Sequence, residues 1–146
     1  MKATATDGRV CPRGLRCIFL VLSRDPIEDT PYSRRILSRL ATDDAIVPEI
    51  WAFEIANTIF VAFSRRKRIS QRQIDEYLLR LRALPIRVEL NDVWANIELE
   101  SKARKWNLPA YDAAYLDLAL RRKLSLATAD DDLRKAAQAE GIMVLL

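Results

Sequence analysis

The sequence predicts an α/β protein: a three-layer α/β/α domain with a mainly parallel central sheet flanked by helices. Short apolar runs with strand character recur at residues 18–22, 45–47, 86–90, 124–128 and 143–146, and helical patterns separate each from the next. Strands alternating with helices imply parallel pairing and crossovers that cover both sheet faces. The chain has 146 residues, half of them hydrophobic and only three of them Gly, which suits a helix-rich core and one domain over residues 1–146.

The elements follow in order. IFLVL at 18–22 reads as a buried strand. Thr30 and Pro31 supply an N-cap and a first helical residue, and Tyr32, Ile36, Leu37 and Leu40 form an apolar stripe. Asp43 and Asp44 make a polar turn before the strand at 45–47. Pro48 is expected to open a helix to about Ser64 that is apolar on most sides and therefore buried, interrupted by Glu54, Asn57 and Thr58. After the basic stretch 65–68, Ser70 and Gln73 form a capping box, and Ile74, Tyr77, Leu78, Leu81 and Leu84 recur at helical spacing. In the strand at 86–90, Ile86, Val88 and Leu90 should face inward, alternating with Arg87 and Glu89. Asn91 is expected to cap a helix to about Trp106, with Val93, Trp94, Ile97 and Ala103 inward. Leu108-Pro109 breaks it. A helix at 111–122, a strand at 124–128, a helix from Asp131 closed by Gly141 and a last strand at 143–146 complete the chain.

Composition removes several chemistries. There is no His, so imidazole-based triads, His-dependent ribonucleases and HExxH zinc sites are excluded. The ligands that remain are mostly carboxylates, which favour Mg2+ or Mn2+ over Zn2+. Cys11 and Cys17 cannot complete a zinc site and read as a reduced pair. No apolar run is long enough for a membrane span, and a cytoplasmic protein is expected. The net charge of +4 favours anionic partners without naming one.

Three acidic residues stand out. Glu54 lies within PEIWAFEIANTI, on a helix face with Ile50, Trp51, Asn57 and Val61, where an ionised carboxylate costs several kcal/mol unless paired or metal-bound. Asp112 opens a helix in LPAYDAAYLDLAL, and Asp130 follows a strand in LSLATADDDL. Each also has a structural reading. Asp112 suits a helix N-terminus, Asp130 is one of three candidate caps with Asp131 and Asp132, and Glu54 could pair with an Arg at the rim. Asp117 reads as solvated or ion-paired. In an open parallel sheet, sites form beyond the carboxyl ends of strands, where these acids would meet.

From Ile27 onward the chain resembles PIN domains, and among them the VapC-type ribonuclease toxins of toxin–antitoxin pairs. The residues that carry the resemblance are VPEIWAFEIANTI, RISQRQIDEYLLRLRALPIRVE, LPAYDAAYLDLAL and LATADDDL, in order and with fitting spacing. It implies a metal-dependent endoribonuclease with Glu54, Asp112 and Asp130 as catalytic metal ligands for Mg2+ or Mn2+, and Asn57 and Thr128 orienting ligands or water. It also implies a homodimer and an antitoxin laid over the cleft. In such a nuclease the basic residues Arg65, Arg66, Lys67 and Arg68, and a second cluster of Arg121, Arg122 and Lys123, would hold RNA phosphates; otherwise both are solvated helix ends. Trp51, Phe53, Phe60, Phe63, Trp94 and Trp106 are expected to be mostly core.

Residues 1–26 depart from the family pattern, in which a first strand ends in Asp. Gly14, Leu15, Arg16 and Cys17 occupy the corresponding stretch. Either this segment has diverged, leaving a binding-only module, or the reading frame shifts near the start; the abrupt switch near Pro26 favours the shift. Two rival functions follow: a non-catalytic PIN-like module that binds an antitoxin, and a basic nucleic-acid-binding regulator without chemistry.

Overall fold

The computed structural model describes residues 18–20 and 30–145. Cys11, Cys17, the stretch at 14–17, Val21 and Leu22 of the first strand, and Leu146 of the last lie outside the described residues. The chain runs β1 (Ile18–Leu20), α1 (Pro31–Arg39), β2 (Ala45–Pro48), α2 (Ile50–Phe60), α3 (Gln71–Arg82), β3 (Ile86–Glu89), α4 (Val93–Trp106), α5 (Ala110–Arg122), β4 (Ser125–Ala127), α6 (Asp131–Ala139) and β5 (Val144–Leu145). This is the order of elements the sequence implies. The strands form one sheet in the order β3-β2-β1-β4-β5, every described pairing parallel.

Period-two alternation covers the sheet on both faces. Leu126 and Val144 pack into the core around α5, and the next residues, Ala127 and Leu145, into the core that includes Ile36 and Leu40 of the α1 segment. The main core centres on α5, whose residues from 113 to 119 are all buried. Tyr115, Leu116 and Leu118 meet Val47, Leu126 and Leu133 there. Full burial of each such Leu contributes about 2 kcal/mol. No described helix is long and apolar enough to cross a membrane.

Caps fix most helix ends. Thr30 and Ser33 form a capping box on α1, as do Ser70 and Gln73 on α3. Asp92, one residue after the expected Asn91, caps α4 by accepting from the N–H groups of Trp94 and Ala95. Asn107 and Lys123 end α4 and α5 in the left-handed conformation, and Gly141 takes φ +76° after α6, where glycine carries no Cβ penalty.

The structure corrects several expectations. Pro48 ends β2 rather than opening α2, because the parallel ladder with β3 extends to Pro48 opposite Glu89. α2 is not buried: Trp51 is its one buried residue, Phe53 is 70% exposed, and Phe60 and Phe63 are also exposed, since no described element covers that side. On α4, Val93, Trp94 and Ile97 point to solvent while Leu99 and Ala103 face inward. Val88, on the edge strand β3, is exposed, as are Leu90 just beyond its end and Leu37 of α1. Trp106 is half-buried, its indole N–H donating to Glu140.

Candidate active site

Parallel pairing sets the carboxyl ends of β2 and β4 on one edge of the sheet. α2 and α6 start there, and α5, which leads back into β4, begins on the same side. Glu54 on α2, Asp112 in the first turn of α5 and Asp130 at the start of α6 are thereby carried toward one edge.

Glu54 is half-buried and held by a residue that sequence reasoning passed over. The Tyr115 hydroxyl donates to Glu54 Oε2 at 2.5 Å. Tyr115 follows Asp112 by three positions, on the same face of α5. Burial pushes its phenol far above the ordinary range, reinforced by the hydrogen bond to Glu54 and by the negative charges of Glu54 and Asp112. The hydroxyl therefore remains a donor, and both carboxylates lie within electrostatic reach of it. In the sequence Tyr115 looks like one more apolar contact; its distance of three from Asp112 was the available signal. The Thr58 hydroxyl donates to the Glu54 carbonyl at 2.7 Å, and Asn57, one turn beyond Glu54, is exposed.

Asp130 is the N-cap of α6. Its Oδ1 accepts from the Leu133 N–H at 2.8 Å, and its own N–H donates to Thr128 Oγ1 at 3.0 Å. Thr128 is fully buried, so its hydroxyl fixes the turn that presents Asp130. Asp112 adds negative charge to the first turn of α5, where the helix dipole favours it.

The carboxylates fit a hard divalent cation in donor chemistry, offering oxygen alone. Glu54 and Asp130 each use one oxygen within the fold, and Glu54 Oε1 and Asp130 Oδ2 accept no hydrogen bond among the described residues. Tyr115 bonds Glu54 and feels the charge of Asp112, but the three acids do not close into a cage: among the described residues, no three His, Cys, Asp or Glu side chains are placed to hold one ion. Capping of α6 ties Asp130 down.

The two basic clusters differ. Arg65, Arg66, Lys67 and Arg68 are exposed where α2 passes through a π-helical turn, Val61–Arg65, with the Arg65 guanidinium 5.6 Å from the Phe60 ring centre and Lys67 at φ +50°. Arg121 and Arg122 instead serve the fold. Arg121 donates to Asp117 at 2.8 Å and to Glu89 at 2.8 Å, and Arg122 donates to Glu89 at 2.7 Å. Asp117, 6% exposed, also accepts from Lys102 at 2.5 Å. Burial pushes its carboxyl up, but the hydrogen bonds and charges of Lys102 and Arg121 outweigh this and hold it below the ordinary range. This is the ion-paired role the sequence offered for Asp117.

The family model for the PIN domain matches residues 18–139. The chain therefore belongs to the PIN-domain family, whose members are generally metal-dependent nucleases and commonly use divalent ions. No curated protein matches it significantly in sequence.

Proposed function

We propose that this PIN-family chain is a Mg2+- or Mn2+-dependent endoribonuclease of the VapC type, the toxin of a toxin–antitoxin pair, acting as one domain in the cytoplasm. The observation that carries the reading is Glu54 held by Tyr115 of α5, the helix whose first turn carries Asp112, at the carboxyl edge of a parallel sheet in a member of a nuclease family. Glu54, Asp112 and Asp130 are the residues that would hold the ion. When bound, such an ion supplies an activated water and neutralises charge developing on the scissile phosphate. The chain's own part is positional. Tyr115 holds Glu54 by one oxygen, leaving the other free, and Thr128 holds the turn that presents Asp130. Asn57, exposed one turn from Glu54, would orient water or ligand. Arg65, Arg66, Lys67 and Arg68 hold RNA phosphates electrostatically. Exposed Phe60 on α2 and the exposed face of α4 would be covered by a second copy and by an antitoxin.

The test is cleavage of a structured RNA panel with Mg2+ or Mn2+, beside EDTA and identically purified Asp112→Asn. The proposal expects cleavage that both controls abolish. Cleavage unchanged by Asp112→Asn would point to a contaminant and sink it. A second reading, a non-catalytic module that binds an antitoxin, draws on the open arrangement of the three acids and on the exposed Phe53, Phe60 and Trp94. It expects folded, inactive protein that still captures its partner.

A further inference from the structure

A groove of about 350 Å3 opens between the starts of α2, α4 and α5. That is near the lower end of the roughly 300–1,000 Å3 typical of ligand pockets, so it suits one small ring system rather than an extended ligand. Leu99 and Ala114, both buried, line it, and so do Phe53 and Tyr111, which are 70% and 54% exposed. Neighbouring residues divide between the groove and the acids: Phe53 lines the groove while Glu54 meets Tyr115, and Tyr111 lines the groove one residue before Asp112. Whatever occupies the groove therefore lies beside the carboxylates.

One part of the lining is polar and has a fixed direction. Arg121 Nη2 donates to Asn91 Oδ1 at 3.3 Å, Asn91 Nδ2 donates to Asn96 Oδ1 at 3.2 Å, and Asn96 Nδ2 donates to Glu49 Oε1. Each amide is oriented by the one before it, and Arg121 is itself anchored by Asp117 and Glu89. The relay ends at a carboxylate whose second oxygen, Oε2, accepts no hydrogen bond among the described residues. The groove thus combines aromatic side chains, an apolar floor and a preset acceptor.

We infer that this groove is a nucleobase pocket selective for guanine in single-stranded RNA, an inference that rests on the ribonuclease reading. Unstacked RNA bases are bound by stacking on aromatic side chains and by hydrogen bonds to their Watson–Crick edge. Guanine presents two adjacent donors on that edge, N1–H and the 2-amino group, which complement a carboxylate. Adenine and cytosine place a ring acceptor beside the amino group, and uracil has a single N–H between two carbonyls, so each would set a lone pair against Glu49. Phe53 and Tyr111 supply the stacking surfaces, which explains two large aromatic side chains left in solvent.

The test is the binding of fluorescein-labelled oligouridine hexamers carrying one guanine, inosine or adenine, measured by anisotropy in EDTA so that cleavage plays no part. Inosine lacks only the 2-amino group. The guanine oligomer should bind about tenfold more tightly than the inosine one, the loss expected when one hydrogen bond to a charged group is removed. Glu49→Gln, which keeps an acceptor for Asn96, should erase that difference. Phe53→Leu, at an exposed site the fold does not need, should weaken all three oligomers by about tenfold through lost stacking. Equal affinity for guanine and inosine, or a preference that survives Glu49→Gln, overturns the pocket and leaves the ribonuclease reading standing. Failure of folded protein to bind any oligomer also overturns the pocket, while the ribonuclease reading stands or falls on the cleavage test with metal. Glu49-dependent competition by an arginine-containing peptide, without base preference, assigns the groove to a protein partner and overturns the base pocket.

Discussion

Replacing Tyr115 by Phe isolates the one contact that holds Glu54. Tyr115 is 1% exposed and packs against the main core, and Phe keeps the whole ring, so packing is preserved. What disappears is a hydroxyl-to-carboxylate hydrogen bond of 2.5 Å. Bonds to charged groups are worth about 1.5–3 kcal/mol. Glu54 is half-buried, so water compensates in part and the lower figure, about 1.5 kcal/mol, applies. At roughly 2.1 cal/mol/K per residue, unfolding this chain has an entropy near 0.3 kcal/mol/K, and Tm should fall by about 5 °C. Calorimetry or thermal circular dichroism reads this directly. A cycle with Glu54→Gln should show coupling of about 1 kcal/mol, because the two groups act as a unit. If the protein cleaves RNA as proposed, catalytic efficiency should also fall by about tenfold, as expected when a group that orients a ligand is lost. An unchanged Tm, or additive effects of Tyr115→Phe and Glu54→Gln, would refute the view that this hydrogen bond positions the carboxylate.

Two further outcomes follow from the charge network and the buried phenols. Asp117→Ala should lower stability by about 2 kcal/mol in urea unfolding, less than the 3–5 kcal/mol of a fully buried pair because Lys102 and Arg121 remain partly solvated; Lys102→Met together with Asp117→Leu should recover much of the loss. At alkaline pH the urea midpoint should fall. Burial, partly offset by Arg134 and Arg35, pushes the Tyr32 phenol up to about 12, and burial also raises Tyr77. The stabilisation is complete below the ordinary phenol pKa of about 10 and is lost as pH rises through the folded value, because the unfolded chain ionises first. A midpoint that holds constant from pH 9 to 11.5, or a decline that Tyr32→Phe leaves unchanged, would contradict this assignment.

Element order was legible because strand and helix impose different periods, and the caps at Thr30 and Ser70 need only local chemistry. Burial was less legible. The apolar character of α2 and of Val93, Trp94 and Ile97 is plain in the sequence, but whether an apolar face is covered depends on elements elsewhere, and no described element reaches these. The site shows the same division. Glu54 and Asp112 stood out as acids within apolar patterns, and Thr128 and Asp130 as the end of a strand and a cap. Tyr115 did not, because its partner lies 61 residues away and only the hydroxyl separates it from a core aromatic.

In α2 the two failures meet. An amphipathic helix normally fills its inward face with apolar side chains. Here that face holds Trp51, Ile50 and Ile55 against the core and gives position 54 to a carboxylate tied to α5, while further apolar residues fall on the outer side, at Phe53 and Phe60 and at Phe63 in the turn beyond. A helix that served stability alone would reverse that distribution. Its mixed faces are what a site demands when an acid must reach inward to the sheet edge and aromatic surface must remain outside for something to bind.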